Sequence, residues 1–203
     1  MNNKLVIIIQ GPSNNVEELK KAWDGYNLIW STWKGSESRY SDNDIVIFND
    51  VPHEKGVGNI KLQQLTTNKG IEKAKELGYQ RVFKWRSDMI PTNPKKLITL
   101  LTEGVNILFF HNQLPYRPSS YVDYVMESDI DTMVSIWDFD ESNSTHAEAI
   151  ITSNINRKNI ININLFGGCL NDDNDIVWLK RNIHIKDYKH HKLFEHNLCN
   201  DEN

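Results

Sequence analysis

The stretch Lys84-Trp85-Arg86-Ser87-Asp88 ends an apolar run with two cations and a carboxylate, and Pro91 follows three residues later. In an extended strand Lys84, Arg86 and Asp88 project to one side, so one anionic ligand can meet all three. A carboxylate oxygen beside phosphate oxygens is the environment that Mg²⁺ and Mn²⁺ favour. The same residues also suit a salt-bridged strand end, or an Asp capping the turn before Met89-Ile90-Pro91.

Two other apolar runs end in the same manner. Leu5 to Ile9 is followed by Gln10-Gly11-Pro12, and Ile45 to Phe48 by Asn49-Asp50. If the three runs are parallel strands, their C-terminal tips share one edge, where open α/β sheets bind ligands. Ordinary loops use similar residues, so it is the combination that points to a site. Between the second and third tips, Asn59, Gln63 and Thr67 recur at i, i+4 and i+8, a polar stripe on a predicted helix whose apolar side holds Ile60, Leu65 and Ile71. Such a stripe is solvated surface unless it faces the strand tips. Trp33 and Trp137 are large enough to stack on a sugar or base, although packing in the core is the commoner use of Trp.

These residues need elements to position them. Residues 5–9, 27–33, 44–50, 81–88 and 105–112 read as strands, rich in β-branched and aromatic side chains. Helices are predicted over 16–23, over about 59–77 with a stop at Gly78, and over 94–101, where Pro94 follows Asn93. Later, 129–139 and 145–155 look helical, and 175–188 looks like a late strand or hairpin. Alternating strands and helices predict an α/β fold, a mixed and mainly parallel sheet flanked by helices. With no repeat or linker in view, one domain over 1–203 is expected.

Composition narrows the classes. A length of 203 residues suffices for a real core, and 39% hydrophobic content with six Trp excludes a disordered tail. The net charge of −4 and the absence of any basic block argue against nucleic-acid binding. The run Leu5–Ile9 is too short for a membrane span or a secretory leader, so a cytoplasmic location is expected, or the cytoplasmic face of a membrane. Cys169 and Cys199 have neither metal nor redox spacing, and the His residues form no HxH or HExxH. GxSxG, P-loop and GxGxxG patterns are missing, which sets aside hydrolase, NTPase and dinucleotide signatures.

Taken together, Ile9 to Pro12, Ser31 to Trp33, Asn49 to Pro52, Asn59 to Gly70 and Lys84 to Asp88 resemble the motif series of the WavE-type lipopolysaccharide-synthesis proteins, grouped with GT-A-like glycosyltransferases. The match covers roughly the first half. A looser one places family acids at Tyr121-Val122-Asp123-Tyr124 and Thr145-His146-Ala147-Glu148. The resemblance implies a GT-A-like fold with a donor half at about 1–112 and an acceptor half at about 113–203. It implies a nucleotide-diphosphate sugar donor, with a UDP-type donor expected, a glycan acceptor and a divalent metal, Mn²⁺ or Mg²⁺. Gln10, Gly11, Pro12 and Asp50 would lie against base and ribose, with Trp33 also in the donor site. Asn59, Gln63 and Lys84 would approach ribose or phosphates, and Ser87 with Asp88 would hold the metal-diphosphate end. Arg86 would stand in the donor site and take part of the metal's electrostatic role. Two positions depart from the pattern. Arg86 stands at the first Asp of an Asp-x-Asp, leaving one carboxylate for metal, and Leu62 replaces an expected Arg.

Breaking an anomeric C–O bond loads negative charge on the leaving diphosphate, which cations stabilise, while an acceptor-side carboxylate removes the hydroxyl proton in an inverting displacement. Glu148 is the favoured base, with Asp123 and Asp140 as the other candidates; Glu148 equally suits a first-turn acid complementing a helix dipole. Hexosyl transfer in polysaccharide assembly is the leading expectation. A nucleotidyltransferase of similar fold and a non-catalytic nucleotide-sugar or glycan-binding module are the alternatives.

Overall fold

The structure, a computed structural model, describes residues 5–108, 110–111, 120–121, 123–140, 147–160, 162–165 and 183–185. Its centre is β1 (Leu5–Gln10), in which Val6 to Ile9 are all buried. An uninterrupted apolar run of this kind fits a strand covered on both faces. It pairs in parallel with β2 (Leu28–Trp33) on one side and β4 (Arg81–Arg86) on the other, and β3 (Ile45–Asn49) extends the sheet beyond β2.

Helix α1 (Val16–Ala22) connects β1 to β2, α2 (Ile60–Glu76) connects β3 to β4, and α3 (Pro94–Thr99) follows β4, each with terminal signals in its sequence. Glu17 and Glu18 open α1 and Lys20 and Lys21 close it, matching the helix dipole. Gly78, at φ +80°, lets the chain turn away after α2. The Asn93 side chain accepts from the Lys96 N–H at 3.0 Å and caps α3, with Pro94 in its first turn. Gly70 brings α2 down onto β1, since a Cβ there would stand 2.3 Å from Ile8 Cγ2.

Past Arg86 the predicted strand over 81–88 stops early. Ser87-Asp88 forms a turn, and β5 (Met89–Pro91) leaves the sheet. The predicted strand over 105–112 divides into β6 (Val105–Ile107), in the main sheet, and β7 (Phe110–His111), which pairs with β8 (Ser120–Tyr121). Residues 109 and 112 lie outside the described residues.

Strand β9 (Met126–Asp129) is absent from the sequence expectation. It runs antiparallel between β4 and β6. Its sequence, Met-Glu-Ser-Asp, has no apolar pattern, yet Glu127 and Ser128 are buried. Glu127 is stabilised there by Arg81, whose Nε and Nη2 donate at 2.6 and 2.8 Å, and by Asn106 Nδ2 at 2.6 Å. Burial pushes the Glu127 pKa up, and these bonds oppose it. Asp129 ends the strand and caps α4 (Ile130–Trp137), accepting from the Thr132 N–H at 2.8 Å. The helix predicted from 129 therefore begins one residue later, and that predicted over 145–155 is α5 (Ala147–Arg157).

With β10 (Ile163–Leu165) parallel to β6, the seven-stranded order is β10-β6-β9-β4-β1-β2-β3. All its strands but β9 run one way, so the fold is the expected mainly parallel α/β sheet. Two cores flank it. Trp23, Trp30, Phe83 and Trp85 pack with α1 and α3 on one face, and Val6, Ile8, Ile71, Met133 and Trp137 pack with α2, α4 and α5 on the other. Of the late strand expected over 175–188, only β11 (Ile183–Ile185) is described; it pairs antiparallel with β5. No helix among the described residues is long and apolar enough to cross a membrane.

Candidate functional site

The parallel strands bring Gln10, Trp33, Asn49 and Arg86 to one sheet edge. At the centre of that edge the tips of β1 and β4 are tied together. The Ser87 N–H donates to the Gln10 carbonyl at 3.0 Å, and Asn15 Nδ2 donates to the Ser87 carbonyl at 3.0 Å. Gly11 lies between them at φ +118°, and a Cβ on it would meet Ser87 Oγ at 2.7 Å. Both the backbone angle and the close approach require glycine. The Gln10 side chain is buried and accepts from Thr66 Oγ1 at 2.6 Å, fixing α2 to the tip of β1. Pro12 is exposed beside it.

At the tip of β4, Arg86 Nε donates to Asp88 Oδ1 at 2.9 Å and Nη2 to Oδ2 at 2.5 Å. The guanidinium also lies over the Tyr124 ring, 4.8 Å from its centroid. Burial works to lower the Arg86 pKa, but the bonds and charge of Asp88 outweigh it and hold the group above its ordinary value. Two residues back on the same face, Lys84 is fully enclosed. Its ammonium donates to the backbone carbonyl of Asp123, stands 3.9 Å from Asp123 Oδ2 and lies 4.7 Å over the Trp137 ring. Burial lowers the Lys84 pKa to about 8; Asp123 opposes that, Arg86 adds to it, and Asp88 and Glu148 oppose it more weakly. Lys84, Arg86, Asp88, Asp123 and Glu148, chosen from three separate stretches of sequence, thus share one electrostatic neighbourhood.

Two of those acids are buried. Asp123 is fully so, and neither of its carboxylate oxygens has a hydrogen-bond partner among the described residues. Glu148 is 6% exposed in the first turn of α5. Asp140 is exposed, and Val122, Thr145 and His146 lie outside the described residues.

The remaining expected residues differ widely in exposure. Asp50 is exposed and paired with Lys34 at 2.7 Å, while its neighbour Asn49 is buried and donates to Ser31 Oγ and the Thr32 carbonyl. Trp33 is half-buried at the end of β2. Asn59, exposed and left-handed at φ 62°, starts α2, and Gln63 in its first turn bonds the Gly58 carbonyl at 3.2 Å. The polar stripe is not uniform surface, because Thr67 is fully buried. Trp137 belongs to the core, its ring covered by Lys84.

Sequence reasoning missed Ser13 and Tyr40, which bond at 2.7 Å below the tip of β2, and gave no role to Tyr124. The only signal for Tyr124 was its place next to Asp123.

A divalent ion suits this edge in one manner. Among the described residues no three His, Cys, Asp or Glu side chains gather as a metal cage. Mg²⁺, however, is commonly held by one or two carboxylates together with substrate phosphates and water. Asp88 supplies one such carboxylate, already oriented by Arg86, so the donor set fits an ion arriving with a diphosphate.

No family model matches the sequence, and no curated protein matches it. Among solved structures, a crystal structure of a Desulfovibrio desulfuricans G20 protein described as a nucleotide-diphospho-sugar transferase matches with a TM-score of 0.55 at 10% identity. The match covers 83% of this chain and 81% of that one. The chain therefore shares its overall fold with that protein. The cluster around Arg86 lies at the C-terminal strand tips, the edge at which open α/β sheets in general bind ligands.

Proposed function

We propose that this chain is a glycosyltransferase that moves a hexosyl group from a nucleoside-diphosphate donor to a glycan, as a WavE-type member of surface-polysaccharide or lipopolysaccharide assembly acting on the cytoplasmic side. The observation that carries this reading is the convergence of the β1 and β4 tips, through Gly11 and Ser87, beside the charged cluster Lys84, Arg86, Asp88, Asp123 and Glu148. The fold likeness adds support at the level of a nucleotide-sugar donor.

In this account base and ribose lie over Gly11 and Pro12, with Asp50 and Trp33 on one flank and Asn59 and Gln63 on the other. Arg86 meets the diphosphate, whose negative charge grows as the glycosidic bond to the leaving group breaks. Asp88 orients that guanidinium and supplies the carboxylate for Mg²⁺ or Mn²⁺, which when bound neutralises phosphate charge. Glu148 takes the proton of the attacking acceptor hydroxyl in an inverting displacement. Residues 1–112 form the donor side and 113–203 the acceptor side of one domain. Release of nucleoside diphosphate from a nucleotide sugar by the purified chain tests the reading. Pyrophosphate release from a nucleoside triphosphate instead would make it a nucleotidyltransferase.

A further inference from the structure

We propose that Lys84 is a positioning residue, not a ligand contact: its ammonium holds the bend at 123–125 so that Tyr124 lies on the guanidinium of Arg86. The inference rests on the nucleotide-sugar reading for what Arg86 meets, but the contacts within the protein stand apart from it.

The ladder between β4 and β9 has Lys84 and Met126 as its last pair on this side. Residues 123–125 run beyond it. There the Lys84 side chain reaches back to the Asp123 carbonyl, and the Leu108 N–H donates to the Val125 carbonyl at 3.1 Å. Tyr124 sits between these two anchors, 6% exposed, with its ring under Arg86 at 4.8 Å. The carbonyl that Lys84 holds and the ring that Arg86 stacks on belong to adjacent residues, Asp123 and Tyr124.

An ammonium is costly to bury, and an apolar side chain of similar length would fill the space without that cost. What a methionine cannot do is donate to the Asp123 carbonyl or balance its carboxylate. With Lys84 enclosed by Asp123 and Trp137, its effect on a ligand passes through Tyr124 and Arg86. Arg86 itself is then fixed from two directions, by the carboxylate of Asp88 in the plane of the guanidinium fork and by the ring against its face.

The test is a double-mutant cycle on the full chain near neutral pH, with Lys84→Met, Tyr124→Ala and the pair, reading affinity for UDP, GDP, ADP and CDP by calorimetry. The protein is also labelled with ¹³C-Tyr, and the Tyr124 ring resonance, assigned from Tyr124→Ala, is followed in parallel. Each single change should weaken binding about tenfold, the scale of one lost charge-assisted contact, and the pair should lose little more than the worse single. Lys84→Met should also move the Tyr124 resonance. Where Lys84→Met does not fold, Lys84→Gln completes the same cycle. Additive losses, or undiminished affinity in the Lys84 variant, overturn the proposal. If no nucleotide binds the wild type, the nucleotide-sugar reading fails, and the resonance alone decides the contact: a shift upholds the tie between Lys84 and Tyr124, and no shift overturns it.

Discussion

The carboxylate of Asp88 takes the guanidinium of Arg86 at two points, 2.9 and 2.5 Å, with one residue between them in sequence. The intervening Ser87 is bonded through its backbone to Gln10 and Asn15, so this forked pair is mounted on the tips of two strands. Arg86→Lys should therefore lose about tenfold or more in nucleoside-diphosphate affinity, because one ammonium cannot reproduce a planar fork. Calorimetry at fixed salt measures this directly. Unchanged affinity would remove Arg86 from the diphosphate.

Glu148→Gln separates binding from chemistry. The amide keeps the size of the side chain but cannot take a proton, so transfer or donor hydrolysis should fall about 100-fold or more while nucleotide affinity stays near wild type. Parallel turnover and binding assays check both. A variant with full turnover would return the base role to Asp123 or Asp140.

Lys84 gives the stability a predictable pH dependence. Its folded pKa, about 8, lies below the ordinary 10.5. Below pH 8 it is charged in both states and the burial cost is carried in full. Between these values the unfolded chain holds the proton that the folded chain has released, so stability rises with pH, by up to ~1.4 kcal/mol per unit. Urea unfolding of wild type and Lys84→Met at several pH values should show the wild type gaining on the variant across this window. Parallel curves would mean that the ammonium is not buried as described.

Gly11→Ala should destabilise by about 1–3 kcal/mol, since alanine is strained at that φ and its methyl group crowds Ser87. Nucleotide affinity should fall with it, because the same contact joins the two tips. The change is read from the thermal midpoint and a nucleotide titration together.

Much of this arrangement is legible in the sequence, and the reasons for success and failure differ. Val6 to Ile9 announces a buried strand because apolar side chains cover both faces, and its tip is marked by the first polar residue after the run. Val82, Phe83 and Trp85 announce β4 although Lys84 interrupts the apolar run. β9 is illegible because Glu127 and Ser128 sit in the sheet through partners, Arg81, Asn106 and the Gly104 carbonyl, that only the fold brings near. At the site, Arg86 and Asp88 declare themselves by adjacency. The enclosure of Lys84 could not be read, since it depends on Trp137 and Asp123, 53 and 39 positions away in the chain. Tyr124 escaped notice for the same reason.

The central claim is that the strand-tip cluster receives a nucleoside diphosphate together with a divalent ion at Asp88. The measurement that tests it most directly is the thermal midpoint of wild type and Asp88→Ala with a panel of nucleoside diphosphates and nucleotide sugars, with and without Mn²⁺ or Mg²⁺. The account predicts that at least one nucleotide raises the wild-type midpoint, that metal raises it further, and that Asp88→Ala loses the metal-dependent part. No shift with any nucleotide, or a metal-dependent shift retained in full by Asp88→Ala, would contradict it.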